Sequence, residues 1–409
     1  MARRLLFLCH RIPYPPDKGD KIRAWHMLDR LARDWAVDLG CLVDDPADLR
    51  HLPVLQGRCA SVLARPTGSR RQAGLRALLR CRPGQPLSLG WFHEQGLWDW
   101  TRAHLAARRH QAVFVYSSAM APYAMGLRGP LRVLDMVDVD SEKWRAYAAD
   151  ARPPMRHVWA REARTLQAFE RRAAADFDRT LFVSAAEAAQ FRAVAPEAAA
   201  RVDHVDNGVD LSAFDPGQPG ESPYAPGARA LVFTGTMDYR PNVEAVAWFA
   251  ERVMPLLVGV VPGVEFHIVG ANPAPAVRAL AARPGVRVAG AVPRIQPWIA
   301  HAAVAVAPLR IARGIQNKVL EAMAMARPVV ASPEAFEGVR ALPGRDILVA
   351  EGAAAMAAAV RQVLDGAHPG LGARARLAVK QAHDWDATLR RLDAVMQPAQ
   401  GRRVEEALP

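Results

Sequence analysis

Short apolar runs alternate with longer amphipathic stretches along most of this chain, and that alternation predicts a repeated strand–helix unit. In the first half, the runs at residues 5–9, 37–42, 61–64, 112–116, 132–135 and 180–183 read as buried strands. Helix-period stretches fall between them at 21–34, 91–108 and 154–177. The last is rich in Ala and Arg and free of interior glycine, so a long exposed helix is expected there. Residues 215–227, DPGQPGESPYAPG, hold neither a helix nor a central strand. A second series follows, with strands at 230–233, 265–269, 287–289, 303–307, 328–331 and 347–349, and helices at 243–257, 274–282, 318–325 and 353–364. Such series build parallel sheets covered on both faces. The expected architecture is α/β: two Rossmann-like, doubly wound parallel-sheet domains facing across a cleft.

Length and composition narrow the classes. A chain of 409 residues exceeds the roughly 250–300 at which one core stops growing. Its 51% hydrophobic and 23% charged residues exclude a disordered or fibrous protein. No apolar run approaches the roughly 18 residues that span a bilayer. Arg3 and Arg4 before the run ending at Cys9 echo a lipoprotein leader, but the run is too short and no small residue precedes Cys9, so a buried first strand is expected. The four cysteines form no C-x-x-C pair, which points to a reducing, cytoplasmic compartment. The 53 cations against 41 anions give +12, and only five of the cations are lysines. A basic surface attracts nucleic acid, anionic lipid and phosphorylated substrates alike. With no RNA-binding aromatic motif, zinc finger or helix-turn-helix in view, no nucleic-acid partner is expected. Residues 70–82 and 156–172 read either as solvated basic helices or as contact faces for an anionic inner-membrane surface.

In doubly wound sheets ligands bind beyond the carboxyl ends of the strands, so the loops there carry the chemistry. The loop after the first strand holds three prolines, Lys18, Gly19, Lys21 and Arg23 ahead of a helix. It is either a phosphate or acceptor site at a helix start or a turn with solvated cations. No G-x-G-x-x-G follows that strand and no G-x-x-x-x-G-K-[ST] occurs, against a dinucleotide dehydrogenase and a P-loop nucleotidase. A second segment alternates Asp135, Asp138 and Asp140 with apolar residues. Asp140 or Ser141 suits a helix N-cap. Asp135 and Asp138 cost desolvation at a strand end, and one of them is a candidate base or acceptor-binding carboxylate. A metal site is the less favoured reading of this spacing. Residues 205–210, V-D-N-G-V-D, read as a tight turn. In F-T-G-T-M-D-Y-R-P-N, residues 233–242, Gly235 ends a strand, Asn242 can cap the next helix and Arg240 stands near its start. Finally, a glycine-containing loop leads from Pro308 to a helix start near Asn317, with Lys318 and Glu321 three apart on one face. They are either a surface ion pair or a diphosphate-holding cation beside a ribose-binding carboxylate.

The run K-V-L-E-A-M-A-x-x-x-P-V-V, with N-G-V-D and F-x-G-x-M-x-x-x-P-N, resembles the retaining glycosyltransferases of family 4, which have the GT-B fold. R-I-P-Y-P-P-x-K-G-D-K-I-R and D-x-V-D-V-D-S-x-K-W resemble more particularly the sugar transferases associated with exopolysaccharide synthesis and PEP-CTERM sorting. The resemblance implies transfer of a sugar from a nucleotide-diphosphate donor to a glycan or lipid-linked acceptor, with retention and with neither metal nor other cofactor. It implies domains over residues 1–206 and 207–383, with a helix near 384–400 returning to the first. It places Gly19, Gly235, Arg240, Gly270, Gly314, Lys318 and Glu321 on the donor, Glu321 as the second Glu of E-x7-E. The first Glu of that motif is replaced by Arg313, which is expected to face phosphate. Asp138, Lys318 and Arg313 are the expected catalytic residues, and Lys21, Arg23 and Asp135 the acceptor contacts. Two alternatives share these features: a sugar-nucleotide epimerase of the same fold and a non-catalytic sugar-nucleotide binder.

Overall fold

Arg4–Cys9 (β1) carries five consecutive buried residues, too many for a strand with one face in water, and it lies inside a parallel sheet with a neighbour on each side. The computed structural model describes residues 3–80, 82–312 and 314–397. The first of its two units runs to Val205 and takes up the chain again from Leu389; the second spans Asp206–Thr388.

In the first unit β1 is joined by Ala36–Val43 (β2), Ser61–Pro66 (β3), Ala112–Tyr116 (β4), Leu131–Val137 (β5), Arg179–Phe182 (β6) and Val202–His204 (β7). The order is β3-β2-β1-β4-β5-β6-β7, parallel throughout. Sequence order reverses between β1 and β4, the place where a doubly wound sheet offers its crevice. Phe7 and Phe114 stack across that pair with ring centroids 5.0 Å apart. The strand β7 is three residues long, two of them polar, and periodicity gives no sign of it.

Two helices differ from expectation. Met155–Asp176 is not simply exposed: it buries Leu166, Phe169, Ala173 and Ala174 and turns its arginines outward. Its Glu162 is also buried, because its carboxylate accepts from Leu87 N (2.8 Å) and Ser88 N (2.9 Å) at the start of helix Leu87–Trp91. The stretch expected as one helix over 91–108 breaks at Glu94, which caps Gln95–Ala106 by accepting from Leu97 N at 2.6 Å.

The second unit contains Arg229–Thr234 (β8), Val264–Val269 (β9), Val286–Gly290 (β10), Val304–Ala307 (β11), Val329–Ala331 (β12) and Leu348–Val349 (β13). The order is β10-β9-β8-β11-β12-β13, again parallel, with its reversal between β8 and β11. The stretch expected as a helix over 243–257 is Arg240–Trp248 joined to Met254–Val258 through a π-helical turn at Phe249–Val253. Helix Asn317–Ala324 buries Val319, Leu320, Ala322 and Met323 beneath the sheet. Residues 215–227 hold no helix or strand. The last described helix, Trp385–Val395, passes at Leu389 into the first unit, within which Leu392 is buried and Asp393 meets Arg30 at 2.5 Å.

Candidate active site

The reversal in the second sheet sets the carboxyl ends of β8 and β11 side by side, and the segments after them meet. Lys318, on the first turn of Asn317–Ala324, projects back toward β8: its Nζ stands 5.3 Å from the centroid of the Phe233 ring. A Cβ built on Gly235 would lie 3.4 Å from Lys318 Cε and 2.7 Å from Asn242 Nδ2. Gly235 has φ +153°, so a side chain there is excluded by backbone as well as by space. Gly270, which ends β9 at φ +152°, is tighter still, since a Cβ on it would sit 1.7 Å from Gly235 O. Amides then run in series: Gly235 N donates to Val269 O, Gly270 N to Gly290 O and Met237 N to Ala271 O. The expected donor residues Gly235, Gly270 and Lys318 are thus brought together on a floor made of main chain.

Lys318 and Glu321 are no surface ion pair. Glu321 is buried, Lys318 partly so, and among the described residues no carboxylate lies within ion-pair distance of the Lys318 ammonium. Burial pulls the Lys318 pKa down to about 8 against the opposing pull of Glu321, and pushes Glu321 up to about 7 against Lys318. A desolvated cation without a counter-ion at a helix start is costly on its own, and a bound diphosphate would relieve that cost. Gly314 is buried in the loop before the helix with φ +62°, its carbonyl accepting from Gln316 Nε2 at 3.2 Å. Arg313 lies outside the described residues. Arg240 begins its helix as expected, with Nε 2.6 Å from Glu244 Oε1. Asn242 does not cap that helix. It lies inside the first turn, and its amide donates back to Thr236 O at 2.9 Å, bracing the Gly235 loop.

The N-G-V-D turn does more than its composition suggests. Asn207 Nδ2 donates to Asn317 Oδ1 at 3.3 Å, holding the first residue of the Lys318 helix. Gly208 makes room for Trp385, whose ring a Cβ there would meet at 2.7 Å. Nothing local in the sequence hints at this partnership, since Asn207 and Asn317 stand 110 residues apart.

In the first unit the expected acceptor contacts become internal supports. Arg23 and Asp135 are both fully buried, with Nε 2.9 Å from Oδ2, and Arg23 Nη1 also donates to Val205 O at 2.6 Å. The pair joins helix Gly19–Leu31 to the ends of β5 and β7, so neither side chain is open to an acceptor. Lys21 is 1% exposed and held between Asp17 and Asp48, each at 3.0 Å. The other cations of that loop are matched too: Arg11 with Asp20 and Asp44, Lys18 with Asp44. A long side chain beside an available carboxylate pairs with it sooner than it waits for a ligand, which composition could not reveal. Gly19 is the exposed first residue of its helix, where Lys18 occupies the N-cap position without a side-chain cap.

Asp138 is placed differently from its neighbours. Val139, not Asp140 or Ser141, occupies the N-cap position of helix Asp140–Asp150. Its N–H goes to buried Glu187 Oε2 at 3.0 Å, and Ser141 Oγ donates to buried Glu170 at 2.6 Å. Val137, just before Asp138, has φ +69°, a strained setting for a β-branched residue. Asp138 itself is partly buried, and its pKa rises to about 7: burial, Glu187 and Asp140 raise it, while Lys143 and Arg23 lower it. A carboxyl so placed is poised to exchange a proton near neutral pH.

Residues 228–366 match the family described as Glycosyl transferases group 1. Among solved structures, sucrose-phosphate synthase from Thermosynechococcus elongatus superposes at TM-score 0.70 with 16% identity, covering 96% of this chain and 98% of its own. Anabaena HepE, solved with UDP, gives TM-score 0.65 and 13% identity over 96% and 99% of the two chains. WaaG, a glycosyltransferase involved in lipopolysaccharide biosynthesis, gives 0.64 and 13% over 96% and 100%. No curated protein matched this chain by sequence. The fold is GT-B, and the domain match with these neighbours supports a nucleotide-sugar-dependent glycosyltransferase.

Proposed function

We propose that this protein is a retaining glycosyltransferase of the family 4 type, moving a sugar from a nucleotide-diphosphate donor to a glycan or lipid-linked acceptor in exopolysaccharide or cell-envelope polysaccharide synthesis. The observation that carries the reading is Lys318: a desolvated ammonium with no carboxylate at ion-pair distance among the described residues, aimed at the main-chain floor of Gly235 at the switch point of the second sheet. The hard part of glycosyl transfer is the charge that builds on the departing diphosphate. Preorganised amides and a cation stabilise it without reorganising at the moment of reaction. Lys318 and the amino end of Asn317–Ala324 meet the diphosphate, Glu321 accepts from the ribose, and Asn207 steadies the helix through Asn317.

The structures of HepE with UDP and with UDP-glucose support a uridine diphosphate sugar as the first donor to try. Melting curves recorded with a series of nucleotide sugars should show one of them raising Tm by several degrees, as mass action on the folded state requires. A panel that leaves Tm unmoved throughout removes the donor site.

Asp138 serves the acceptor, taking a hydrogen bond and then the proton from its hydroxyl. A carboxyl titrating near 7 is a base only above that pH, so kcat/KM should fall as pH drops through about 7. Asp138→Asn should lower the rate by about 10²-fold and flatten that acid limb. A variant that keeps the limb shows that another group titrates there.

A further inference from the structure

Helix Arg70–Arg80 packs the reverse way round for a surface helix. Its small residues face inward: Ala73 is 1% exposed and Ala77 4%. Gly90 comes so close that a Cβ on it would lie 2.7 Å from Ala77 Cα. Its large residues face out, with Leu75, Leu78 and Leu79 exposed by 58%, 66% and 78%. Their spacing of three and four sets them in one stripe. The rotation is held by Arg76, whose Nη2 donates to Thr67 O at 2.9 Å and Trp91 O at 3.2 Å. Burying leucine is worth more than burying alanine, so a helix fixed with its leucines in water has that face reserved for something else.

The charge around the stripe says what. Residues 49–93 contain eight arginines and no aspartate or glutamate, and Arg71 and Arg80 are exposed on the helix itself. Helix Met155–Asp176, the other basic stretch, turns Leu166 and Phe169 inward and carries Glu162, Glu170 and Asp176 among its arginines. Among the described residues no helix is long and apolar enough to cross a membrane, so any lipid contact through these helices is at the surface. Arg58 and Arg65 of that stretch are paired with Asp29 and Glu94, but a leucine stripe flanked on its own helix by the exposed Arg71 and Arg80 complements a sheet of negative headgroups over an apolar interior.

We propose that helix Arg70–Arg80 docks flat on an anionic phospholipid surface, with Leu75, Leu78 and Leu79 entering the acyl boundary and Arg71 and Arg80 meeting headgroup phosphates. Docking is independent of the reaction proposed above, and its test reads no activity.

The whole protein is floated with vesicles of phosphatidylcholine alone and of phosphatidylcholine with about one-third phosphatidylglycerol. It should rise with the anionic vesicles and not with the neutral ones, and raising salt from about 0.1 M to about 0.5 M should release much of it. L78E/L79E and the uncharged L78S/L79S should each cut partitioning at least about tenfold. Both should keep the wild-type circular dichroism and Tm, because the replaced side chains are solvent-exposed. Equal flotation of the serine variant, equal binding to neutral vesicles, or no flotation with anionic vesicles overturns the proposal. So does a concentration-dependent dimer that the same substitutions dissolve without any vesicle binding, which assigns the stripe to a second copy of the chain.

Discussion

Lys318→Ala should lower kcat/KM for sugar transfer by about 10²–10³-fold, the loss that follows removal of one transition-state donor in a preorganised site. The loss should fall mainly on kcat, because the charge that Lys318 meets grows as the diphosphate departs. The ground state should suffer as well. With its pKa drawn down to about 8 by burial, the free enzyme loses the cation as pH rises through that value, and donor affinity should weaken over the same range. Lys318→Arg keeps the charge at all working pH values, so its donor affinity should not show that alkaline decline. Steady-state rates and donor titrations between about pH 6 and 9 separate the two effects. A Lys318→Ala enzyme with an unchanged rate removes this residue from the chemistry.

The second large effect is on stability. Arg23→Met should destabilise the protein by about 3–5 kcal/mol, because it leaves the Asp135 carboxylate buried without its cation. Burial already pushes the Asp135 pKa up, while Arg23 and the Val137 N–H pull it back. Without Arg23 the folded-state pKa climbs further above the unfolded value near 3.9. A carboxyl shifted upward in the folded state costs stability once pH exceeds its unfolded pKa, so the variant should recover relative to wild type as pH falls toward that value. The double replacement Arg23→Met with Asp135→Leu should cost less than the single one, since no orphaned charge remains. Urea unfolding of the three proteins gives both numbers. A single-variant loss below about 1 kcal/mol means that the pair contributes little.

Much of this molecule is written in local patterns. Short runs of three to six residues located twelve of the thirteen strands among the described residues, because a strand buried on both faces of a parallel sheet leaves a continuous hydrophobic trace. Val202–His204 escaped, being too short for any pattern. The glycine and lysine motifs of the second unit follow local rules as well: glycines at Gly235 and Gly270 are forced by local backbone geometry, and Lys318 is tied to a helix start. Pairing was not legible. Whether Lys21 or Arg23 is free for a ligand depends on Asp48, 27 residues away, and on Asp135, 112 residues away, and no window on the chain contains both partners. The same holds for Asn207 with Asn317 and for Val139 with Glu187. Charge type is a local property of sequence, whereas charge availability belongs to the tertiary structure.

Because the floor at Gly235 and Gly270 consists of peptide groups rather than side chains, its shape is insulated from most substitution. A scaffold of that kind can drift until only about one residue in seven is shared, as with sucrose-phosphate synthase and HepE here, and still superpose over nearly its whole length. At the abutting glycines themselves even a methyl group would force neighbouring main chain apart.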